Sequence, residues 1–157
     1  MEIKDIINIL KEQGRLKVKE GHGKVLEFVS LERWNKDKDD QEGIFLIFDV
    51  FQLRSISEQF ADVSLDIIEF ATKPTVYHTI KGRFLHNGPV QEGKIKFSLI
   101  KKDFWNKLLF SYGQVLILNY LEDQDVDFET KDFFPLLSAG TKEMFLSPDG
   151  DIKILKG

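Results

Sequence analysis

Residues 43–77 read GIFLIFDVFQLRSISEQFADVSLDIIEFATKPTVY. Ile44 to Phe51 is an apolar run broken only by Asp49. Such a run needs cover on both faces, which predicts a central strand with helices on each side. Ser55-x-x-Glu58 has the form of a capping box and predicts the start of a short helix. Ser64 is read as the cap of the next helix, with Leu65, Ile67 and Ile68 as its candidate inward face. Pro74 forbids continuation of that helix and biases Lys73 away from helical geometry. Thr75 to Ile80 is rich in β-branched residues and predicts a strand.

The flanks extend the same alternation. Ile3, Ile6, Ile7 and Leu10 mark one helical face, and Gly14 stands where a C-terminal cap belongs, so Lys4 to Gln13 reads as an amphipathic helix. Leu16 to Lys19 alternates as a half-buried strand does, Gly21-His22-Gly23 is a turn, and Val25 to Val29 is the next strand. Leu31 to Trp34 either extends that strand or opens a short helix. Asn35 to Glu42 is a charged connector. Past the opening stretch, Lys81 to Glu92 is loop, with a turn at Asn87-Gly88-Pro89. Lys94 to Leu99 alternates Ile95, Phe97 and Leu99 with Lys94, Lys96 and Ser98, the pattern of a strand buried on one face. Asp103 to Phe110 pairs Phe104 with Leu108 and Trp105 with Leu109 as a helix does, and Gly113 stops it. Val115 to Leu118 is a buried strand, Glu122 to Glu129 an acidic surface loop, and Phe133 to Leu137 a packed segment. Glu143 to Leu146 and Ile152 to Leu155 flank Ser147-Pro148-Asp149-Gly150, and Asp-Gly is a strong hairpin signal. The expectation is one α/β domain over residues 1–157, with a mixed sheet flanked by helices and a C-terminal β-hairpin.

Composition sets the outer bounds. With 42% hydrophobic and 31% charged residues, the 157-residue chain is ordinary for a soluble domain with a real core. Phe is over-represented, with 14 copies, and reads as an aromatic core. There is no cysteine, so neither a disulfide framework, a disulfide-linked partner nor a cysteine-ligated metal is expected. The opening residues are charged and amphipathic without a signal-peptide core, and no apolar run reaches membrane-spanning length. These features lead us to expect a cytoplasmic protein with no membrane partner. A net charge of -4 argues against a dedicated nucleic-acid binder, although a local basic face is compatible with it.

Common chemical motifs are absent. Gly23-Lys24 is followed by Val25, and no glycine stands five residues before Gly23, so a P-loop lacks both its phosphate cradle and its magnesium-binding hydroxyl. Asp123, Asp125 and Asp127 alternate like the start of a calcium loop, but Phe128 and Phe134 occupy the positions of its glycine and bidentate glutamate. His22, His78 and His86 form no helical ligand pair for zinc. No metal site is expected, and no residue is assigned a catalytic role.

The order of elements in residues 43–77 resembles the central part of the YrdC family, the L-threonylcarbamoyladenylate synthases. The apolar strand, the two helical segments and Lys73-Pro74-Thr75 follow in matching order. Gly93 to Asn119 and Ser147 to Gly157 are similar to the family's strand–helix–glycine–strand unit and terminal hairpin. The resemblance implies a YrdC-like twisted mixed sheet with a concave basic cavity, built to make threonylcarbamoyl-AMP from threonine, bicarbonate and ATP for tRNA modification. Lys36 and Lys38 fall where the family carries Lys-x-Arg, without an arginine. Lysine does not replace a bidentate phosphate contact. The family's Gly-x-x-Gly-x-Arg arginine aligns with Ser98, its Ser-x-Asn pair near Tyr120 to Glu122, and its Pro-Ser-Ser segment with Gly140 to Lys142. Lys36, Lys38, Lys73 and Thr75 are therefore the candidate ligand contacts. The reading is a divergent YrdC-like domain without synthase activity that acts as a binding or interaction module for a protein or RNA partner. The alternative is an active nucleotide-binding or RNA-binding protein of the same fold with replaced site residues, such as Lys17, Lys19, Lys24, Lys36, Lys38 and Lys94. ATP and magnesium are implied only under that alternative.

Overall fold

The structure is a computed structural model and describes residues 2–157. Its first helix, α1 (Ile3–Gln13), turns Ile6, Ile7 and Leu10 into the core. Gly14 caps it at φ 68, a left-handed conformation that glycine adopts without strain. β1 (Arg15–Lys19), β2 (Val25–Ser30) and β3 (Ile44–Ile47) follow. A 3-10 helix (Val50–Ser55), α2 (Asp62–Phe70) and β4 (Thr75–Ile80) complete the stretch quoted first. Then come β5 (Lys94–Leu99), α3 (Asp103–Tyr112), β6 (Leu116–Leu121), the two-residue β7 (Phe128–Glu129), a 3-10 turn (Pro135–Leu137), β8 (Lys142–Leu146) and β9 (Ile152–Lys156).

The strands form one mixed sheet in the order β7-β1-β2-β6-β3-β5-β4-β8-β9. β3 runs parallel to β5, β4 to β8 and β1 to β7; the other neighbours are antiparallel. One face carries α1, α3 and the 134–137 segment over Leu26, Phe28, Leu46, Leu116 and Leu118. The other carries α2, the 3-10 helix and Trp34 over Phe45, Ile47, Tyr77, Phe97 and Ile117. The aromatic core expected from composition is present: Tyr77 stacks on Phe97 at 5.1 Å, and Trp105 meets Phe134 edge-on at 5.1 Å. β3 lies between β6 and β5 with all four residues buried, the position its sequence requires.

Several boundaries differ from the sequence reading. The run Ile44 to Phe51 is not one strand: the Asp49 carboxylate accepts from the Phe51 N–H at 2.9 Å and turns the chain into the 3-10 helix. Ser55 ends that helix rather than starting another, its hydroxyl donating to the Gln52 carbonyl. Glu58 accepts from Arg83, and Ser57 bridges Lys81, so tertiary partners override the capping-box pattern. Ser64 is not a cap: Ala61 is, and the Ser64 hydroxyl donates to the carbonyls of Ser147 (3.1 Å) and Pro148 (3.0 Å) in the hairpin turn. β5 is buried on one face only in its first half, because Ser98 is also buried. The strand expected at Val115 to Leu118 is β6, which runs on to Leu121. The acidic loop is not all loop, since Phe128 and Glu129 pair with Val18 and Lys19. Leu31 to Trp34 is a turn, with the Arg33 and Trp34 N–H groups donating to the Ser30 carbonyl.

Candidate functional site

A cavity of about 520 Å³ opens where α2 ends, β4 begins, β5 ends and α3 starts. Its shape follows from local chain chemistry. Pro74 keeps α2 from propagating into β4, and the chain leaves the helix at Ala71 in an extended conformation and bends at Lys73 before β4. Thr75 is buried, and its hydroxyl donates to the Lys73 carbonyl at 3.0 Å. The Ser98 hydroxyl donates to the Thr75 carbonyl at 2.6 Å, which ties β5 to the start of β4. Both hydroxyls are thus spent on backbone.

The cations differ in their engagement. The Lys101 ammonium donates to the carbonyls of Glu69 (2.5 Å) and Ala71 (2.8 Å) and so caps the C-terminal end of α2. Partial burial pulls that ammonium below its ordinary value, and nearby Glu69 acts in the opposite sense. Lys73 and Lys102 are exposed and make no ion pair or side-chain hydrogen bond among the described residues. Lys102 is also the cap residue of α3, whose first N–H groups lie at the same end. Asp103 is the one carboxylate in the lining; Ile68, Leu99, Ile100 and Leu136 give an apolar floor.

The far wall, Pro135 to Ser138, is held from a distance. Glu20 is buried between the β1–β2 turn and residue 134. Its carboxylate accepts from the N–H groups of His22 (2.6 Å), Lys24 (3.0 Å) and Phe134 (3.1 Å) and meets His22 Nδ1 at 2.5 Å. Burial alone pushes this carboxyl upward, but the bonds from His22, Phe134 and Lys24 outweigh it and hold it below its ordinary 4.5. Gly21 lets the two segments touch: a Cβ there would lie 2.4 Å from the Lys131 carbonyl oxygen.

Of the residues proposed from sequence, Lys73 and Thr75 line this cavity, whereas Lys36 and Lys38 stand exposed in the 35–42 loop and do not. That loop is folded by Asp39, which takes Arg15 in a bidentate pair (2.8 and 2.7 Å) and accepts from the Asn35 N–H. Lys17 donates to Gln124 and Lys19 pairs with Asp123, both away from the cavity; Lys24 is exposed. Lys94 lines a separate hollow of about 280 Å³, where Lys96 pairs with Glu42 at 2.5 Å, and His78 beside it pairs with Glu143. Sequence reasoning missed Lys101, Lys102 and Ser138. The i, i+4 pairs of α3 carried no sign that its preceding lysines would meet the end of α2.

The arrangement can hold an anion against an apolar floor, but it has no activated nucleophile. The arginines Arg15, Arg33, Arg54 and Arg83 all lie outside its lining, and no base contacts the Thr75 or Ser98 hydroxyls. Among the described residues no cluster of carboxylates and histidines is suited to a metal ion, and no helix is long and apolar enough to cross a membrane.

The sheet order, its helical layers and the terminal hairpin define the chain as an α/β protein of YrdC-like fold. Comparison with solved structures supports this over nearly its whole length. The chain is similar to the crystal structure of E. coli YciO, with TM-score 0.71 and 13% identity over 98% of this chain and 87% of that one. It is also similar to full-length HypF in its phosphate- and nucleotide-bound form, with TM-score 0.64 and 12% identity, covering 98% of this chain and 28% of HypF. The solution structure of MTH1692 from Methanobacterium thermoautotrophicum matches with TM-score 0.55 and 9% identity, covering 98% and 85%. At these identities the likeness establishes the fold alone. No protein-family model and no curated protein matches the sequence.

Proposed function

We propose that this chain is a YrdC-like binding module that takes up the phosphate end of a nucleotide at the Lys73–Lys102 cavity and does not make threonylcarbamoyl-AMP. The observation that carries the reading is the pair of unpartnered ammonium groups at the mouth of an apolar-floored cavity. Two lysines and the start of α3 supply charge for a phosphate. The same cavity lacks the bidentate arginine and the base that adenylate chemistry calls for. One structural neighbour, full-length HypF, is described in a phosphate- and nucleotide-bound form.

Calorimetric titration with ATP tests the binding half. Lys73→Ala and Lys102→Ala each remove one charged donor and are expected to weaken binding about tenfold. Unchanged affinity in both variants rejects this site. Pyrophosphate release in the presence of ATP, bicarbonate and threonine tests the other half. No threonine-dependent release is expected, and sustained turnover overturns the non-synthase reading.

A further inference from the structure

A second groove, of about 510 Å³, runs between α2 and the 3-10 helix, on the face of the sheet away from α1 and α3. Its floor is apolar: Val50, Leu53 and Phe60 are buried beneath it, and Leu65 is half-buried. Phe51 stands on the 3-10 wall, 71% exposed, with the Arg54 guanidinium 5.9 Å from its ring centroid. No lining residue is shared with the Lys73–Lys102 cavity, so the groove is independent of the phosphate reading.

The α2 wall is acidic. Asp62, Asp66 and Glu69 are exposed along one stripe of the helix, at i, i+4 and i+7. None of the three carboxylates makes an ion pair or a side-chain hydrogen bond among the described residues; Lys101 bonds the Glu69 carbonyl, not its carboxylate. Glu58 at the end of the groove is held by Arg83, and Arg54 is the one cation in the lining. Helix formation does not require this stripe. Asp62 suits the first turn of α2, but Asp66 repeats its charge one turn on. Glu69 sets a third carboxylate in the last turn, where the helix dipole disfavours it.

We propose that the groove seats a basic amphipathic helix of a partner protein, with apolar side chains over Leu53, Phe60 and Leu65 and cations facing Asp62, Asp66 and Glu69. Charge complementarity selects this partner: unpaired carboxylates beside an apolar floor attract lysine and arginine and repel nucleic-acid or lipid phosphate. The walls select a helix over an extended strand. Both walls are helical and bond their backbone internally, so a strand finds no ladder to join, whereas a helix satisfies its own N–H and C=O groups. Packed along α2, the partner repeats the i, i+4, i+7 spacing with its own cations, over a span of about 10 Å. A second copy of this chain fits poorly. Its α1 and α3 already bury their apolar faces, and pairing the groove with itself sets carboxylate against carboxylate.

The probe is a labelled synthetic helical peptide of about three turns, with leucines on one face and lysines at i, i+4 and i+7 on its flank. Fluorescence anisotropy with the full chain is expected to show saturable binding that weakens as salt rises. A scrambled peptide of the same composition, and one with glutamates for the lysines, are expected to bind far more weakly. In the chain, Phe51→Ala and the double reversal Asp66→Lys with Glu69→Lys are each expected to weaken the lysine peptide about tenfold. The double reversal is also expected to strengthen binding of the glutamate peptide, a rescue that a merely structural role does not give. All three positions are exposed, so the urea unfolding midpoint is expected to hold in both variants. No saturable binding, equal affinity for the scrambled peptide, or an affinity that neither variant changes overturns the proposal. So does a dimer of the unmodified chain that Phe51→Ala disperses, which gives the groove to a second copy, or an RNA duplex that displaces the peptide.

Discussion

Glu20 shows how much a single buried carboxylate organises here. Four contacts converge on it, from the turn it belongs to and from Phe134, far away in sequence. Glu20→Gln replaces a charged acceptor with an amide whose NH₂ faces N–H donors, so it is expected to cost about 2 kcal/mol in urea unfolding. The linkage has a definite sign. The folded-state pKa lies below 4.5, so the stabilisation is complete above that pH and is lost as pH falls through the folded value. Acid titration of stability is therefore expected to be shallower in Glu20→Gln than in the parent; equal acid sensitivity rejects the assignment. Gly21→Ala is expected to destabilise by at least about 1 kcal/mol, since backbone rather than a pliable side chain occupies the space of its Cβ. Neither role is readable from the sequence, where Glu20 and Gly21 are an ordinary turn. Both depend on a segment more than a hundred residues away.

At the scale of elements, α2 is the informative case. Its existence was legible from the apolar spacing of Leu65 and Ile68, but its bounds were not: the sequence reading opens it at a Ser64 cap, and the structure gives Asp62–Phe70. Nor was the role of its serine. Ser64 resembles a cap by type, yet it sits inside the helix and fastens it to the 147–148 turn of the terminal hairpin. Ser64→Ala is expected to cost about 1 kcal/mol in denaturant unfolding, the value of a buried hydrogen bond whose carbonyl acceptors lose a donor. Ser55→Ala, which would cost about that much or more at a true capping box, is expected to change stability by less than about 0.5 kcal/mol. A large loss at Ser55 and none at Ser64 would restore the sequence reading. The cause of the misassignment is physical: Ser-x-x-Glu describes only local partners, whereas Arg83 and Lys81 supplied stronger distant ones.

For the whole molecule, ligand binding and stability are linked. A nucleotide held only by the folded state raises stability as its concentration grows, by about 2.7 kcal/mol at one hundred times its Kd. ATP is expected to raise the melting temperature of the parent in a dose-dependent way, with a smaller shift at high salt. The double substitution Lys73→Ala and Lys102→Ala is expected to abolish the shift, and threonine added with ATP to contribute nothing further. A threonine-specific increment would point back to synthase-type binding. The sheet explains why the cavity lies where it does. Antiparallel pairing of β4 and β5 brings Thr75 and Ser98 to one end of the sheet, and α2 and α3 end and begin above them.

By itself the sequence determined the alternation of strands and helices, the buried central strand, the terminal hairpin and the break at Pro74, and with them the fold class. These are set by side-chain periodicity and by proline and glycine geometry, which act over a few neighbouring residues. Only the tertiary structure decided which cations meet. Lys36 and Lys38 share a family-like motif yet remain on an exposed loop folded by Arg15 and Asp39, while Lys73, before β4, meets Lys101 and Lys102, between β5 and α3. It also decided that Lys101 is consumed in capping α2 and that Lys73 and Lys102 remain unpaired. Charge acts through space, so a residue's electrostatic role is fixed by its neighbours in the folded sheet rather than by its neighbours in the chain.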